Sequence, residues 1–138
     1  MSVAANKAVV RRYFEEFHNG RADAILEEIA TAEGIGPTQQ ATSRLRTAFP
    51  DYQITIKEQV AEDDKVATVW RLEGTHQGVW ESPMGPVAPT GKRVTCTGTT
   101  TLRVQDGKIA QVIGTNWDHL GILQQLGALP VATPRSGA

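Results

Sequence analysis

The hydrophobic period of this chain changes at Pro50, and that change restricts the fold more than any other feature. Upstream, Val10, Tyr13, Phe14 and Phe17 recur at i, i+3, i+4 and i+7, one stripe of an amphipathic helix with Arg11, Arg12, Glu15 and Glu16 turned outward. Asn19-Gly20 stops it, and Asp23 is placed to cap a short second helix whose Ile25, Leu26 and Ile29 face the core. The glycines and proline of residues 31–37 predict a loop. Ala41, Leu45, Ala48 and Phe49 predict a third helical stripe, closed by Pro50.

Downstream the period is two. Tyr52, Ile54 and Ile56 alternate with Gln53, Thr55 and Lys57, a half-buried strand. Beyond a turn at Glu62-Asp63-Asp64, residues 65–76 form a second strand rich in Val, Thr and Trp. Residues 92–104 and 108–117 form a third and a fourth, joined at the hairpin signal Gln105-Asp106-Gly107. The stretch from Gly78 to Gly91 holds Pro83, Pro86 and Pro89 and predicts a long loop, of a length often used as a lid. A final helix over 118–126 should turn Leu120, Leu123 and Leu126 inward and stop at Gly127.

Helices followed by a run of strands predict an α+β fold with an antiparallel meander, not a βαβ fold. Such a sheet can curl into a half-barrel whose mouth the first helix crosses, enclosing an apolar pocket. On the third strand Val94, Cys96, Gly98, Thr100, Leu102 and Val104 share the inner side. Thr95, Thr97, Thr99 and Thr101 lie on the other, which suits either solvent or a second copy of the chain. At 138 residues one domain is expected, over 1–129, followed by a small polar tail over 130–138.

A net charge of -1 with interspersed signs leaves no footprint for nucleic acid or an anionic membrane. Cys96 is the only cysteine, which excludes an intrachain disulfide and a Cys-rich zinc site. His18, His76 and His119 lack ligand spacing, so no metal is expected. No apolar run reaches membrane-spanning length and the N-terminus turns polar at once, so a cytoplasmic protein is expected.

Five segments in this order resemble one family: Phe49-Pro50-Asp51, Gly74-Thr75-His76-Gln77-Gly78, residues 89–94 (Pro-Thr-Gly-Lys-Arg-Val), Asp106-Gly107-Lys108-Ile109, and residues 117–127 (Trp-Asp-His-Leu-Gly-Ile-Leu-Gln-Gln-Leu-Gly). From about Phe49 to Leu129 the chain looks like the SnoaL-like polyketide cyclases, or ester cyclases, of the nuclear-transport-factor-two-like superfamily. The resemblance implies a cone of curved antiparallel sheet with N-terminal helices across its mouth, usually a homodimer, and chemistry without metal or cofactor. Founding members close a ring of a polyketide ester by intramolecular aldol condensation, with one aspartate as general acid/base. By its place after the last strand that residue corresponds to Asp118. Family members commonly carry an aromatic-rich strand with a histidine after the second helix. Here that stretch is compressed to residues 31–37 without histidine, so one pocket wall is expected to differ.

Asp118 also has a plain structural reading, as the cap of the closing helix. The catalytic reading requires burial beside Trp117, Leu120 and Leu123 to favour its protonated form. His76 shares the parity of Trp70 and Leu72, so it either points into the pocket as a proton or oxygen partner or ties down the adjoining loop. Tyr13, Phe14, Phe17 and Trp70, with Trp80 and Met84 from the loop, are the candidate walls for a small apolar or aromatic polyketide-like ligand. Thr100, Asn116 and Trp117 complete the candidate contacts. Two functions fit this pattern: a cofactor-independent cyclase, or a binding protein that sequesters an apolar metabolite without reaction. A pure dimerisation module would instead have its core filled by Tyr13, Phe14 and Trp70.

Overall fold

The computed structural model describes residues 2–129, so the expectation of a tail over 130–138 lies outside the described residues. Helix α1 (Val3–Arg12) begins where Ser2 Oγ accepts the Ala5 amide at 3.0 Å. It runs without a break into a π-helical turn, Tyr13–Asn19. His18, four residues beyond Phe14, is buried in this turn together with Tyr13, Phe14 and Phe17. The Asn19 side chain then imitates a strand neighbour. Its amide donates to the Ile54 carbonyl and accepts the Ile54 N–H, both at 2.7 Å, which pins the turn to the sheet.

A 3₁₀ turn (Asp23–Ile25) leads into α2 (Leu26–Ile29), and α3 (Ala32–Ala48) follows almost at once. Asp23 caps neither; its carboxylate pairs instead with Arg46 at 2.8 Å. The expected loop over residues 31–37 is helix. Thr31 caps it by accepting the Gly34 amide, and Gly34 is required because a Cβ there would collide with the Ile109 carbonyl. Pro37 is exposed inside the first half of α3, where its missing N–H removes one helical bond without stopping the helix. The inward stripe of α3 is Gly34, Thr38, Thr42, Leu45 and Ala48, whereas Ala41 stays exposed.

The four long strands are β1 (Gln53–Glu62), β2 (Lys65–Thr75), β5 (Arg93–Gln105) and β6 (Lys108–Asn116), in one antiparallel sheet of order β1-β2-β5-β6. Between β2 and β5 the residues expected as a structureless loop form a small hairpin, β3 (Trp80–Ser82) and β4 (Gly85–Val87). Register slips between Ile56 and Glu58 on β1, and at Ile113 and Ala110 on β6, put extra residues into the two outer strands. Bulges of this kind increase twist and curl the sheet around the helices. The Asp106-Gly107 turn takes positive φ at both residues, as a two-residue hairpin requires.

Side chains of even number from β2 and β5 meet the helices in a single core: Val66, Trp70, Leu72, Val94, Cys96, Leu102 and Val104 against Val10, Phe14, Phe17, Leu45 and Phe49. Gly98 leaves room on β5 for the Trp70 indole, which a Cβ at that position would strike. The chain closes with α4 (His119–Gln125), ended by Gly127 at φ +74. Its inward residues are Ile122, Leu123 and Leu126. Leu120 faces solvent, because capping by Asp118 starts the first turn with residue 120 directed away from the sheet.

Candidate active site

The concave face of the sheet and the underside of the helices enclose a cavity of about 70 Å³, small beside the roughly 300–1,000 Å³ of most ligand pockets. Tyr13, Phe14 and His18 come from the π-helical turn, Thr42 and Leu45 from α3, and Ile54, Trp70, Thr100 and Thr115 from the sheet. Trp117 closes one side, half-buried, at the end of β6. The walls are therefore largely aromatic, and polar atoms enter at few points. The Trp70 indole N–H donates to Thr100 Oγ1 at 2.9 Å, and Thr115 Oγ1 reaches the same oxygen at 3.4 Å.

Thr42 Oγ1 is buried on the α3 wall with no hydrogen-bond partner among the described residues, and His18 supplies a further polar group. Its Nδ1 lies 2.8 Å from the Tyr52 hydroxyl, which is the one hydrogen bond of the ring among the described residues. Burial first, then the cations of Arg46 and Arg21, push the imidazole pKa down to about 3, so the ring is neutral. Both arginines have independent structural reasons for their position. Arg21, at φ +55, lies over the Tyr52 ring at 4.0 Å and donates to the carbonyls of His18, Pro50 and Tyr52. Arg46 donates to the Phe17 carbonyl and to Asp23.

Of the residues expected from sequence to contact a ligand, the fold brings Tyr13, Phe14, Trp70, Thr100 and Trp117 to the cavity. Phe17 is buried behind it and faces the outer groove along α3. Asn116 and Met84 are exposed and do not line it. Trp80 is buried elsewhere, against Phe49 and stacked on His119. The segment 78–91 is thus no lid over this cavity. Gln77 and Gly78 donate their amides to the Ala48 carbonyl at the end of α3, and Gly78 is needed because any side chain would strike the Thr47 carbonyl.

His76 belongs to that anchoring and does not reach the cavity. Its Nδ1 accepts the Thr90 amide at 3.1 Å, and its backbone pairs with Lys92 and Gly91, so the ring clamps the base of the segment shut. Burial lowers its pKa, against the pull of the Val87 and Gly78 carbonyls. Nε2 is buried without a hydrogen bond.

Asp118 caps α4: Oδ1 accepts the Gly121 amide at 2.9 Å. The carboxylate is exposed in the single chain, beside Trp117 and close enough to Cys96 to help raise that thiol, already raised by burial, to about 11. Leu120 does not cover it, so the expected apolar burial is not supplied by this chain alone. Among the described residues Oδ2 has no hydrogen-bond partner. His119 is exposed as expected, yet its ring stacks between Trp117 and Trp80 at 6.2 Å from each. No three His, Cys, Asp or Glu side chains converge among the described residues, and no described helix is long and apolar enough to cross a membrane.

Sequence reasoning missed His18, Ala41, Thr42, Leu45, Ile54 and Thr115 as cavity residues. For Ile54 the signal was present in its alternation. For His18 the position was also there, at i+4 from Phe14 and i+8 from Val10, but the stripe was traced through apolar residues alone.

The profile of the SnoaL-like polyketide cyclases matches residues 4–126. The chain belongs to that family. Among solved structures it is similar to AclR from Streptomyces galilaeus, a candidate hydroxylase, at 26% identity over 96% of this chain and 91% of that one, with a TM-score of 0.76. It is similar to IdmH from Streptomyces antibioticus, a candidate polyketide cyclase, at 25% identity over 88% and 98%, with a TM-score of 0.70. TsrD from Streptomyces laurentii shares the fold at 22% identity over 94% and 99%, with a TM-score of 0.78. No curated protein matches the chain. The SnoaL-like match supports a cyclase-type role for this aromatic cavity, and the similarity to both a cyclase and a hydroxylase candidate leaves the reaction itself to be argued from residues.

Proposed function

We propose that this protein is a cofactor-independent SnoaL-like cyclase that closes a ring in a small polyketide-like ester, with Asp118 as general acid/base. The observation that carries the reading is the placement of Asp118 immediately after the cavity-lining Trp117, with Oδ1 held by the Gly121 amide and Oδ2 unpartnered. One oxygen orients the group and the other is left to exchange a proton. In the reaction Asp118 takes a proton from the carbon beside the ester carbonyl. The carbanion attacks a ketone carbon of the same molecule, a carbon–carbon bond forms, and the alkoxide takes the proton back from Asp118. The product has the mass of the substrate. A seated ligand displaces water from the carboxylate and so supplies the desolvation that a general base near neutrality needs.

A second reading, a binding protein without chemistry, is favoured by one observation: Asp118 already has a complete structural role as the α4 cap. Incubation with a panel of linear and tricyclic polyketide methyl esters separates the two. The cyclase reading expects a chromatographic shift at unchanged mass. Retention of a bound, unchanged ester across the panel would favour the binding protein. We also propose a homodimer built on the outer sheet face, where Val60 is exposed beside the threonine row of β5.

A further inference from the structure

We propose that Nε2–H of His18 is a hydrogen-bond donor of the cavity for a carbonyl oxygen of the bound ligand, with Tyr52 fixing the ring in the tautomer that presents it. The inference rests on the reading that this cavity takes a small aromatic ligand, and it names the atom that selects among such ligands.

Four observations lead to it. First, His18 is 94% buried by fractional exposure yet lines the cavity, packed against Tyr13, Phe14, Phe17 and Tyr52. His18 Nε2 makes no hydrogen bond among the described residues, so on a cavity wall this ring nitrogen is open to a polar atom of the ligand. Second, a phenol O–H is a stronger donor than an imidazole N–H, and a neutral imidazole nitrogen is a stronger acceptor than a phenol oxygen, so across 2.8 Å Tyr52 gives its proton to His18 Nδ1. Third, a neutral imidazole that accepts at Nδ1 carries its proton at Nε2. Burial and the two arginines keep the ring neutral, so the donor is an imidazole and not an imidazolium. Fourth, the ring is held in place by the surrounding rings of Tyr13, Phe14, Phe17 and Tyr52 and by its bond to the Tyr52 hydroxyl. A neutral donor of this type polarises a carbonyl and stabilises negative charge developing on its oxygen, as enolisation requires.

The test uses acetophenone and cumene, which share a shape and differ in the carbonyl oxygen. Titration of ¹⁵N-histidine-labelled protein should show a His18 ring protonated at Nε2, and a downfield change at that nitrogen with acetophenone but not with cumene. Wild type should prefer acetophenone by about fivefold, the worth of one net hydrogen bond. His18→Phe should abolish that preference and leave cumene binding in place. Tyr52→Phe should blur the tautomer and reduce the preference part-way. Equal affinity for the two probes, or a His18 proton found at Nδ1, would overturn the inference while leaving the ligand cavity intact. Binding of neither probe, to wild type or to the opened Trp117→Ala variant, would overturn the ligand-cavity reading and this inference with it. The wild-type spectra decide the matter even where His18→Phe fails to fold.

Discussion

The Trp117 ring meets Trp70 edge to face, with centroids 5.1 Å apart at 68°. Trp70 is fixed: it is buried, its N–H is engaged by Thr100, and Gly98 makes the space beneath it. Trp117 is half-buried and bears on the cavity from its open side. The free volume on this side is therefore bounded by a half-buried ring leaning on a buried one. Trp117→Ala should enlarge the cavity and raise affinity for bicyclic and tricyclic aromatic ligands. The stability cost should be about 1–2 kcal/mol, below the roughly 3–5 kcal/mol of deleting a fully buried aromatic side chain. Urea unfolding gives the cost, and fluorescence titration with an anthraquinone gives the affinity. An unchanged affinity would show that Trp117 does not limit access.

Acid should weaken the fold through its histidines before the carboxylates respond. His18 is pushed down to about 3 in the folded chain, from about 6.5 when unfolded, and His76 is lowered as well. Above pH 6.5 both states are neutral and the native packing of these rings is fully retained. Between about 6.5 and 3 the unfolded chain binds protons that folded His18 refuses, so stability falls as pH falls. One histidine contributes at most about 1.4 kcal/mol per pH unit. Asp23, Asp51 and Glu28, all lowered in the folded chain, add to the loss only below their usual carboxylate range. Urea midpoints at pH 7.5, 6 and 5 should decline, and in a folded His18→Phe variant the decline should be shallower. Parallel curves for the two proteins would contradict this assignment.

The outer sheet face should form a homodimer. Val60 and Ile113 are exposed there near the row Thr95, Thr97, Thr99 and Thr101. Light scattering should return twice the chain mass, and Thr99→Arg should shift it toward the monomer without lowering helix content by circular dichroism. A monomer at every accessible concentration would remove this interface.

Much of the architecture was legible because it is periodic. Alternation after Pro50 identified all four long strands, and the parity of the third strand assigned its buried side correctly from Val94 to Val104. The failures have local causes. Residues 31–37 read as a loop because Gly34, Gly36 and Pro37 are breakers by composition. In the fold Thr31 caps the helix and Gly34 is there for its contact with Ile109, a relation 75 residues apart that no local pattern encodes. The 78–91 segment read as a lid because prolines and glycines mark loops, whereas its hairpin and its clamp on Ala48 depend on tertiary hydrogen bonds. His18 was overlooked because it is polar: its position, i+4 from Phe14 and i+8 from Val10, lies on the stripe that the apolar residues trace. The aromatic walls were visible as a stripe, but which rings reach the cavity depended on the curl of the sheet.

The most direct test of the account is the turnover of Asp118→Asn on a polyketide ester that the wild type cyclises. Asparagine caps a helix about as well as aspartate, and its side-chain oxygen can still accept the Gly121 amide. It cannot carry the proton. Asp118→Asn should keep the wild-type melting temperature and ligand affinity, with turnover lower by roughly two to four orders of magnitude. Asp118→Ala should lose the same turnover and also about 1 kcal/mol of stability, as the α4 cap goes. Near-normal turnover in Asp118→Asn would contradict the account and leave Asp118 as a cap alone.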